Sequence, residues 1–223
     1  LIAKAIARKD CVAVSSPCRN DVINVNNPTT VTSNIVSTRD TITKSNYAIM
    51  DGNFLKVYDK FNDQYIHVPA AASTAGLMAE TDRVAAPWFA PAGFNRGALS
   101  SVSQVDVRLT AGDRDTLYDA RINPIANFPT GPFVIFGQKT TQIARTALDR
   151  VNVRRLMIKI KSDIQKIAQG LLFEQNDTQT RQRFIDQANN RLQQIRVGQG
   201  IEDFRVIMDD TNNSLEDVDN NRL

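Results

Sequence analysis

The stretch that decides the fold is GLMAETDRVAAPWFAPAGFNRG, residues 76–97. It contains the only tryptophan of the chain, Trp88, which stands between Pro87 and Pro91. Because proline presets φ and glycine tolerates a positive φ, Pro91 and Gly93 predict a tight turn. A stiff apolar loop of this kind has two possible roles: a lid over a ligand, or a clamp between elements of the core.

The residues before this stretch alternate between short apolar runs and helix-start signals. Asparagines followed by a proline at 26–28 favour a helix start, because the residue before proline resists the α conformation. Val31 and Ile35 should then point inward, together with Ile42. The pattern predicts a helix end over 1–8, strands over 10–14 and 47–50, a hairpin turn at Asp51-Gly52, a strand over 54–58, and a close-packed helix over 68–81.

The strongest periodic signal lies beyond residue 150, where apolar residues recur at steps of one, three or four. This spacing is one face of a helix about six turns long. The residues of the face are Val153, Leu156, Met157, Ile160, Ile164, Ile167 and Leu171. Elsewhere the pattern predicts a strand over 102–109, a helix over 113–120, a strand pair at 123–128 and 133–136 around the turn 129–131, a second helix ending at Gly198, and a final strand over 204–208.

This alternation of strands and helices indicates an α/β fold. We expect a layered core of a mixed sheet with packed helices, and one long amphipathic helix near 150–173. No internal repeat or low-complexity linker divides the sequence, so residues 1–223 are predicted to form a single domain.

The composition is that of an ordinary globular chain. With 223 residues and a formal net charge of +3, the chain is too weakly basic to indicate nucleic acid by charge alone. No apolar run approaches the roughly 20 residues of a transmembrane helix, so membrane insertion is not predicted. Cys11 and Cys18 can form a disulfide or stay as idle thiols, the second being favoured, and with His67 they leave a zinc site incomplete.

Three candidate chemical sites fail on spacing. GPFVIFGQKT, residues 131–140, lacks the spacing of a phosphate-binding loop, and its centre should be a strand whose amides are already used. His67 has no second histidine or nucleophile nearby. Asp209-Asp210 has no third ligand spaced to complete a metal site. The sequence therefore predicts no catalytic, cofactor-binding or metal-binding residues, and it does not support an enzyme.

Charge is organised in two opposite regions. Residues 139–166 hold eight basic residues and two acids, a balance of +6, whereas 202–219 hold seven acids and one arginine, a balance of −6. Both regions can simply be solvated faces. They can also be complementary patches that meet on neighbouring copies, a head-to-tail contact that builds rings or helices. Nucleic acid is disfavoured, because no aromatic residues are interleaved with the bases for stacking.

Short blocks of the sequence follow one another in an order shared with a known family. They are VYD at 57–59, ND at 62–63, VP at 68–69, AGLMAETDRVAAPWFAPAGFNRG at 75–97, INPIANFP at 122–129, FG at 136–137, KT at 139–140, DRVNVRRLMIKIKSDI at 149–164, LFE at 172–174, ND at 176–177 and VIMDDTNN at 206–213. The chain thereby resembles the tail sheath protein of contractile-tailed bacteriophages of the myovirus type. The PWFAPAG and NVRRL blocks are the specific part of this resemblance.

The resemblance implies a structural protein. Sheath subunits of that family stack as hexameric rings around an inner tail tube, in an extended, metastable state. On baseplate triggering they rearrange as rigid bodies into a shorter, wider sheath, which drives the tube through the host envelope for genome ejection. Extended terminal arms add strands to neighbouring sheets in that family, and the resemblance implies that the chain should be a core fragment without the arms and the last core strand.

The resemblance also implies partners and a location. The partners are the chain itself, the tail tube protein, and the baseplate and tail terminator proteins, with no nucleic acid, no membrane and no cofactor. The location is the tail sheath of the virion, preceded by the host cytoplasm. Two alternatives stay open: the sheath of a related bacterial contractile injection system and, from a different class, an α/β enzyme with an aromatic-lidded pocket.

Two groups of residues are the site candidates of this interpretation. The first comprises outward-facing basic residues of the long helix, which would meet an acidic tube or the acidic region of a neighbour: Arg154, Arg155, Lys159 and Lys161. The second is a structural brace that locks a helix to the next strand: Pro87, Trp88, Pro91 and Gly93.

Overall fold

The computed structural model describes residues 1–100, 102–129 and 131–209. Its helices in chain order are α1 (Ile2–Arg8), α2 (Arg19–Val22), α3 (Pro28–Thr41), α4 (Ala71–Val84), α5 (Gly93–Arg96), α6 (Ala111–Asp119), a 3-10 helix (Ala147–Asp149), α7 (Val151–Gln169) and α8 (Thr178–Val197). Its strands are β1 (Ala13–Ser15), β2 (Ala48–Met50), β3 (Phe54–Asp59), β4 (Gln64–Pro69), β5 (Gln104–Val105), β6 (Ile125–Asn127) and β7 (Phe133–Ile135).

The strands form small sheets of both orientations. β1 and β2 are parallel, β3 pairs antiparallel with β4 on one side and β5 on the other, and β6 and β7 are antiparallel. Isolated bridges such as Ala98 to Val134 join the sheets to the segments between them. The α/β class and the long helix near 150–173 are thus confirmed, with the sheet divided into short pieces.

The predicted hairpin at Asp51-Gly52 is wrong. β2 pairs with β1 and not with β3, because the Asp51 amide continues that ladder by donating to the Ser15 carbonyl. A Cβ on Gly52 would stand 3.0 Å from Leu117, so the chain passes close to the core here and does not fold back. The hairpin lies one strand later, between β3 and β4, where the Asp59 carboxylate accepts from the Phe61 amide at 3.0 Å.

Two predicted strands are also corrected. The strand over 102–109 is reduced to β5, because the Asn53 side-chain amide replaces the strand partner by donating to the Val107 carbonyl at 2.7 Å. Residues 204–208 are irregular, since an apolar run forms a strand only where a second backbone offers a ladder. The strand pair β6 and β7 is confirmed, although Thr130 of its turn lies outside the described residues.

The N-terminal part of the core is built around α3. Asn27 caps this helix by accepting from the Thr29 amide at 3.0 Å, as the helix-start signal predicts. Val31 and Ile35 are fully buried. They belong to a cluster of buried apolar residues that consists of Val22, Val31, Ile35, Met50, Phe54, Val107, Leu117 and Ile122.

A second cluster joins the three-stranded sheet to β6 and β7. Its buried members are Leu55, Ala70, Leu99, Val105, Ile125 and Ile135. A third, smaller cluster places Met78 of α4 against Ile49 of β2 and Val151 at the start of α7. The predicted 68–81 helix is present as α4, but it packs through Thr74, Met78 and Thr81. Most of its small residues are exposed: Ala72, Ala75, Gly76 and Ala79.

The chain divides into two compact units, Leu1–Arg155 and Leu156–Leu223. In the second, the Asp177 carboxylate caps α8 by accepting from the Thr180 amide at 2.7 Å, and α8 ends at Gly198. Ala188, Leu192 and Ile195 form its buried face. The single domain over 1–223 stays a prediction.

Candidate functional site

The hydrogen-bonded turn of the tryptophan stretch lies earlier than predicted. The Phe89 amide donates to the Ala86 carbonyl at 3.1 Å, which puts Pro87 and Trp88 at the two central positions of a β-turn. Gly93 does adopt a positive φ of 76°, but it opens the short helix α5 instead of closing a turn. Pro87 thus fixes φ within the earlier turn, whereas the positive φ of Gly93 lies at the start of α5.

The same stretch is tied to three separate elements of the first unit. Trp88 is half-buried, and its carbonyl accepts from the Asn152 side chain in α7 at 3.2 Å. Further on, the Gly97 carbonyl accepts from the Ile135 amide of β7 at 2.9 Å. The segment itself leaves α4 directly. These contacts are what a brace requires, and the role of Pro87, Trp88, Pro91 and Gly93 as that brace stays a prediction.

Aromatic rings beyond this turn lie on the surface. Phe94 is 54% exposed, and its ring centroid is 5.0 Å from that of Phe128, which in turn is 5.4 Å from that of Phe136. The guanidinium of Arg114 lies 5.4 Å from the Phe128 centroid. A neighbouring depression of about 230 Å³ is lined by Ala90, Ala92, Gly93, Tyr118, Phe136, Gly137 and Gln138. That lining contains no acid, base or nucleophile apart from the Tyr118 phenol, so the row of rings does not resemble a lid over reactive groups.

Arg154 and Arg155 do not face outward, and the prediction that they do is wrong. Each is 8% exposed. Arg154 lies over the Tyr47 ring at 4.2 Å and donates to its hydroxyl at 2.9 Å, and burial lowers the pKa of its guanidinium. Arg155 forms an ion pair with Asp82 and donates to the Met78 carbonyl at 2.9 Å. Both arginines therefore hold residues 151–155 of α7, which belong to the first unit, against Tyr47 and α4 of the same unit.

Lys159 and Lys161 differ from each other. Lys159 is half-buried and lies 2.9 Å from Asp163, which also binds Arg191 of α8 at 2.7 Å. Burial alone would raise the pKa of Asp163, but the hydrogen bonds from Lys159 and Arg191 outweigh it and leave the pKa lowered. Lys161 is exposed, with no ion pair to any described residue. Of the four basic candidates it is the one available to another molecule.

A buried polar cluster that the sequence did not reveal lies beside β2. Asp51 is fully buried and accepts from the Thr74 hydroxyl at 2.8 Å, and its other carboxyl oxygen has no hydrogen bond among the described residues. Burial raises the pKa of Asp51 to about 7. Asn123 continues the cluster by bonding both the amide and the carbonyl of Lys139. No local pattern marks this cluster, because its members come from distant parts of the chain.

A highly charged concavity of the first unit lies between the end of α6 and the start of α7. This feature, here called the basic cleft, has a volume of about 660 Å³ and is lined by Tyr118, Asp119, Arg121, Lys139, Arg145, Thr146, Ala147, Asp149 and Arg150. Asp149 accepts from Arg121 at 2.8 Å and lies 3.2 Å from Arg150. Lys139 is buried over the Tyr118 ring at 3.5 Å.

The remaining candidates from the sequence are His67, the two cysteines and Asp209-Asp210. His67 lies on the edge strand β4, with its Nδ1 2.6 Å from an Asp106 carboxyl oxygen. Cys11 and Cys18 are free and exposed. Asp210 lies outside the described residues, and no cluster of three or more His, Cys, Asp or Glu side chains in the described ranges has the arrangement of a metal site. Among those same residues, no helix combines the length and apolar character that a membrane crossing requires.

Structural comparison identifies the class of fold. The chain is similar to a sheath chain in the contracted PVC sheath complex of an extracellular contractile injection system, with a TM-score of 0.78 and 21% identity over 94% of this chain and 57% of that one. It is also similar to a chain of the anti-feeding prophage baseplate, with a TM-score of 0.79 and 21% identity over the whole of this chain and 57% of that one. At these identities the likeness shows a shared fold.

Sequence comparison then identifies the family. The model of the phage tail sheath protein central domain matches residues 2–141. The tail sheath protein of Vibrio phage KVP40 is 40% identical over 97% of this chain, and that of Enterobacteria phage T4 is 36% identical over 97%. The chain belongs to the phage tail sheath protein family, as the resemblance in its sequence predicted. It spans about a third of the length of these relatives, 34% in both cases.

Proposed function

We propose that this chain is part of a subunit of a contractile phage tail sheath, which assembles into stacked hexameric rings around the tail tube. In this proposal the sheath contracts on a baseplate signal and drives the tube through the host envelope for genome ejection. The observation that carries it is the family match over residues 2–141, together with 40% identity to a tail sheath protein across nearly the whole chain.

A contracting sheath needs subunits that move without deforming, and the first unit has the contacts for this. Arg155 binds Asp82 and Arg154 binds Tyr47, so the start of α7 is held by ion pairing and stacking as well as by apolar packing. The stretch containing Trp88 connects α4, α7 and β7. Such a densely connected core favours displacement as a rigid body.

The proposed partners are further copies of the chain, the tail tube protein, and the baseplate and tail terminator proteins. The proposed location is the virion, after synthesis in the host cytoplasm. The role is structural and not enzymatic, with no nucleic acid, membrane or cofactor involved. The relatives that are identical at 34–40% all carry the name tail sheath protein, which supports this role.

Electron microscopy of the full-length protein tests the proposal. Negative-stain images of the protein expressed alone should show rings or long striated tubes. Dispersed monomers, with turnover of a small molecule, would favour the α/β enzyme instead. A sheath of a related bacterial injection system is the second candidate, because the fold is shared with the PVC and anti-feeding prophage assemblies. Images of whole particles separate the two, since only a phage tail carries a capsid.

Among the basic candidates, we propose Lys161 as the contact with an acidic tube or neighbour. Lys161→Glu should reduce tube formation or contraction, whereas Lys166→Glu, an exposed lysine on the same helix, serves as the matched control. Lys159 is a poorer choice, because its reversal would place a second carboxylate beside Asp163. Unchanged assembly and contraction of the Lys161 variant would refute this contact.

A further inference from the structure

The basic cleft contains more positive charge than its own acids neutralise. Its lining has four cationic side chains, Arg121, Lys139, Arg145 and Arg150, against the two carboxylates of Asp119 and Asp149. Asp149 is buried and already serves both Arg121 and Arg150. Asp119 is 88% exposed and lies 3.9 Å from the Lys139 ammonium, so solvent weakens that pair.

The lowered pKa of Lys139 reflects burial and also the positive potential in the cleft. Its ammonium is buried and donates to the Tyr118 carbonyl at 2.7 Å. Burial lowers the pKa of Lys139 most, and the charges of Arg121 and Arg150 lower it further. An ammonium has three donors, so a buried one with a single short hydrogen bond can still donate to an anion in the cleft.

Arg145 is the exposed one of the four cations that line the basic cleft. It has no ion pair or hydrogen bond to any residue that the structure describes. Several other basic residues of 139–166 already pair within the chain. Their partners are Tyr47, Asp82, Asp149 and Asp163. Arg145, Lys161 and Lys166 are thus the cations of this region without a described partner, and of these three only Arg145 lines the basic cleft.

We propose that the basic cleft binds a carboxylate side chain of a second copy of this chain, supplied by the exposed acid pair Glu202 and Asp203. This inference rests on the proposed function, since it names one contact of the self-assembly. Both acids are exposed and without an ion pair to any described residue. They open the region whose balance is −6, so the charges of the two surfaces are complementary.

A carboxylate fits the cleft better than a phosphate does. Asp149 shows that the guanidiniums of Arg121 and Arg150 are arranged for carboxylate oxygens, at 2.8 and 3.2 Å. The positive charge that remains in the cleft after this internal pairing is small and is not concentrated at one point. A phosphate is usually bound by several donors that converge on it. Asp119 at the rim would also repel a dianion more than a monoanion.

Charge reversal in the full-length protein tests the contact. Arg145→Glu should raise the protein concentration needed for assembly roughly tenfold, as should the double change Glu202→Arg with Asp203→Arg. A protein carrying all three changes should assemble within about twofold of wild type, because the pairing is restored with opposite signs. Arg108→Glu is the matched control, since Arg108 is exposed, has no described partner and lies outside the cleft.

Each outcome bears on the proposal. If Arg145→Glu assembles like wild type, or the triple change does not rescue assembly, the contact is refuted and the sheath function stands. If the wild type itself forms no rings or tubes, the proposed function fails and the contact falls with it. If inorganic phosphate raises the melting temperature of wild type but not of Arg145→Glu, while both assemble alike, the cleft is a phosphate site and the proposal is refuted. A milder Arg145→Gln change, with its melting temperature, separates lost pairing from lost folding.

Discussion

Replacement of Asp51 by asparagine should remove a pH dependence from the stability of the protein. The Asp51 carboxyl is fully buried, with one hydrogen bond from Thr74 and no cation in contact among the described residues. Burial raises its pKa from 3.8 to about 7, so the folded state favours the protonated acid. The stability is therefore highest below the unfolded pKa and falls as the pH rises through the folded pKa.

The magnitude follows from the shift. A displacement of roughly three pKa units corresponds to about 4 kcal/mol between fully protonated and fully ionised limits. Between pH 4 and pH 8 most of that range is covered, so the free energy of unfolding of the wild type should fall by about 3–4 kcal/mol from this residue alone. Asp51→Asn cannot ionise and should lack this part of the decline.

Urea titrations at pH 4, 6 and 8 measure the effect. Trp88 is the single tryptophan of the 223-residue chain and lies in the same unit as Asp51, so its fluorescence reports the relevant unfolding. Other groups titrate in both proteins, and their contributions cancel in the difference between wild type and variant. Equal pH dependence in the two proteins would refute the assignment of Asp51 as a buried, proton-binding acid.

Two further substitutions, Gly97→Ala and Trp88→Ala, test the stretch around Trp88, and Gly76→Ala is the control for the first. Gly97→Ala should destabilise the protein by about 2–4 kcal/mol, because a Cβ would stand 2.6 Å from the Gly93 nitrogen and 2.7 Å from Ala92. Gly76→Ala lies within α4, and its added Cβ would meet nothing within 4 Å. This change should be neutral or should stabilise the protein by up to about 1 kcal/mol. Equal effects of the two glycine changes in thermal unfolding would contradict the close approach. Trp88→Ala should cost about 2–3 kcal/mol by circular dichroism, less than a fully buried ring, because Trp88 is only half-buried; no measurable loss would mean that the ring is not part of a brace.

The helices were predictable from sequence because their signals are local. The 3.6-residue period of Leu156 to Leu171 is written in consecutive turns, and α7 begins and ends within a few residues of its prediction. The cap of α3 also depends on neighbours only, Asn27 and Thr29. The strand over 204–208 failed for the opposite reason, since an apolar run becomes a strand only when a distant backbone supplies the ladder.

The side chains of the candidate site were harder to predict. The helical pattern places Arg154 and Arg155 outside the apolar face. It does not reveal that Tyr47 contacts the first guanidinium and Asp82 the second, in place of water. Long arginine stems can be buried while the guanidinium is paired. The basic cleft likewise gathers residues from α6, the 3-10 helix and the loops between them, so no single window of sequence displays it.

The two free cysteines make the protein accessible to chemical labelling without added thiols. Cys11 and Cys18 are both exposed and both lie in the first unit. Loss of hydration, followed by the neighbouring Asp10, raises the pKa of the Cys11 thiol. Less of the thiol is therefore thiolate at neutral pH, and maleimide should modify Cys11 slowly. Single Cys→Ser variants would carry a dye at one known position, and in an assembled particle that dye would repeat with the spacing of the subunits.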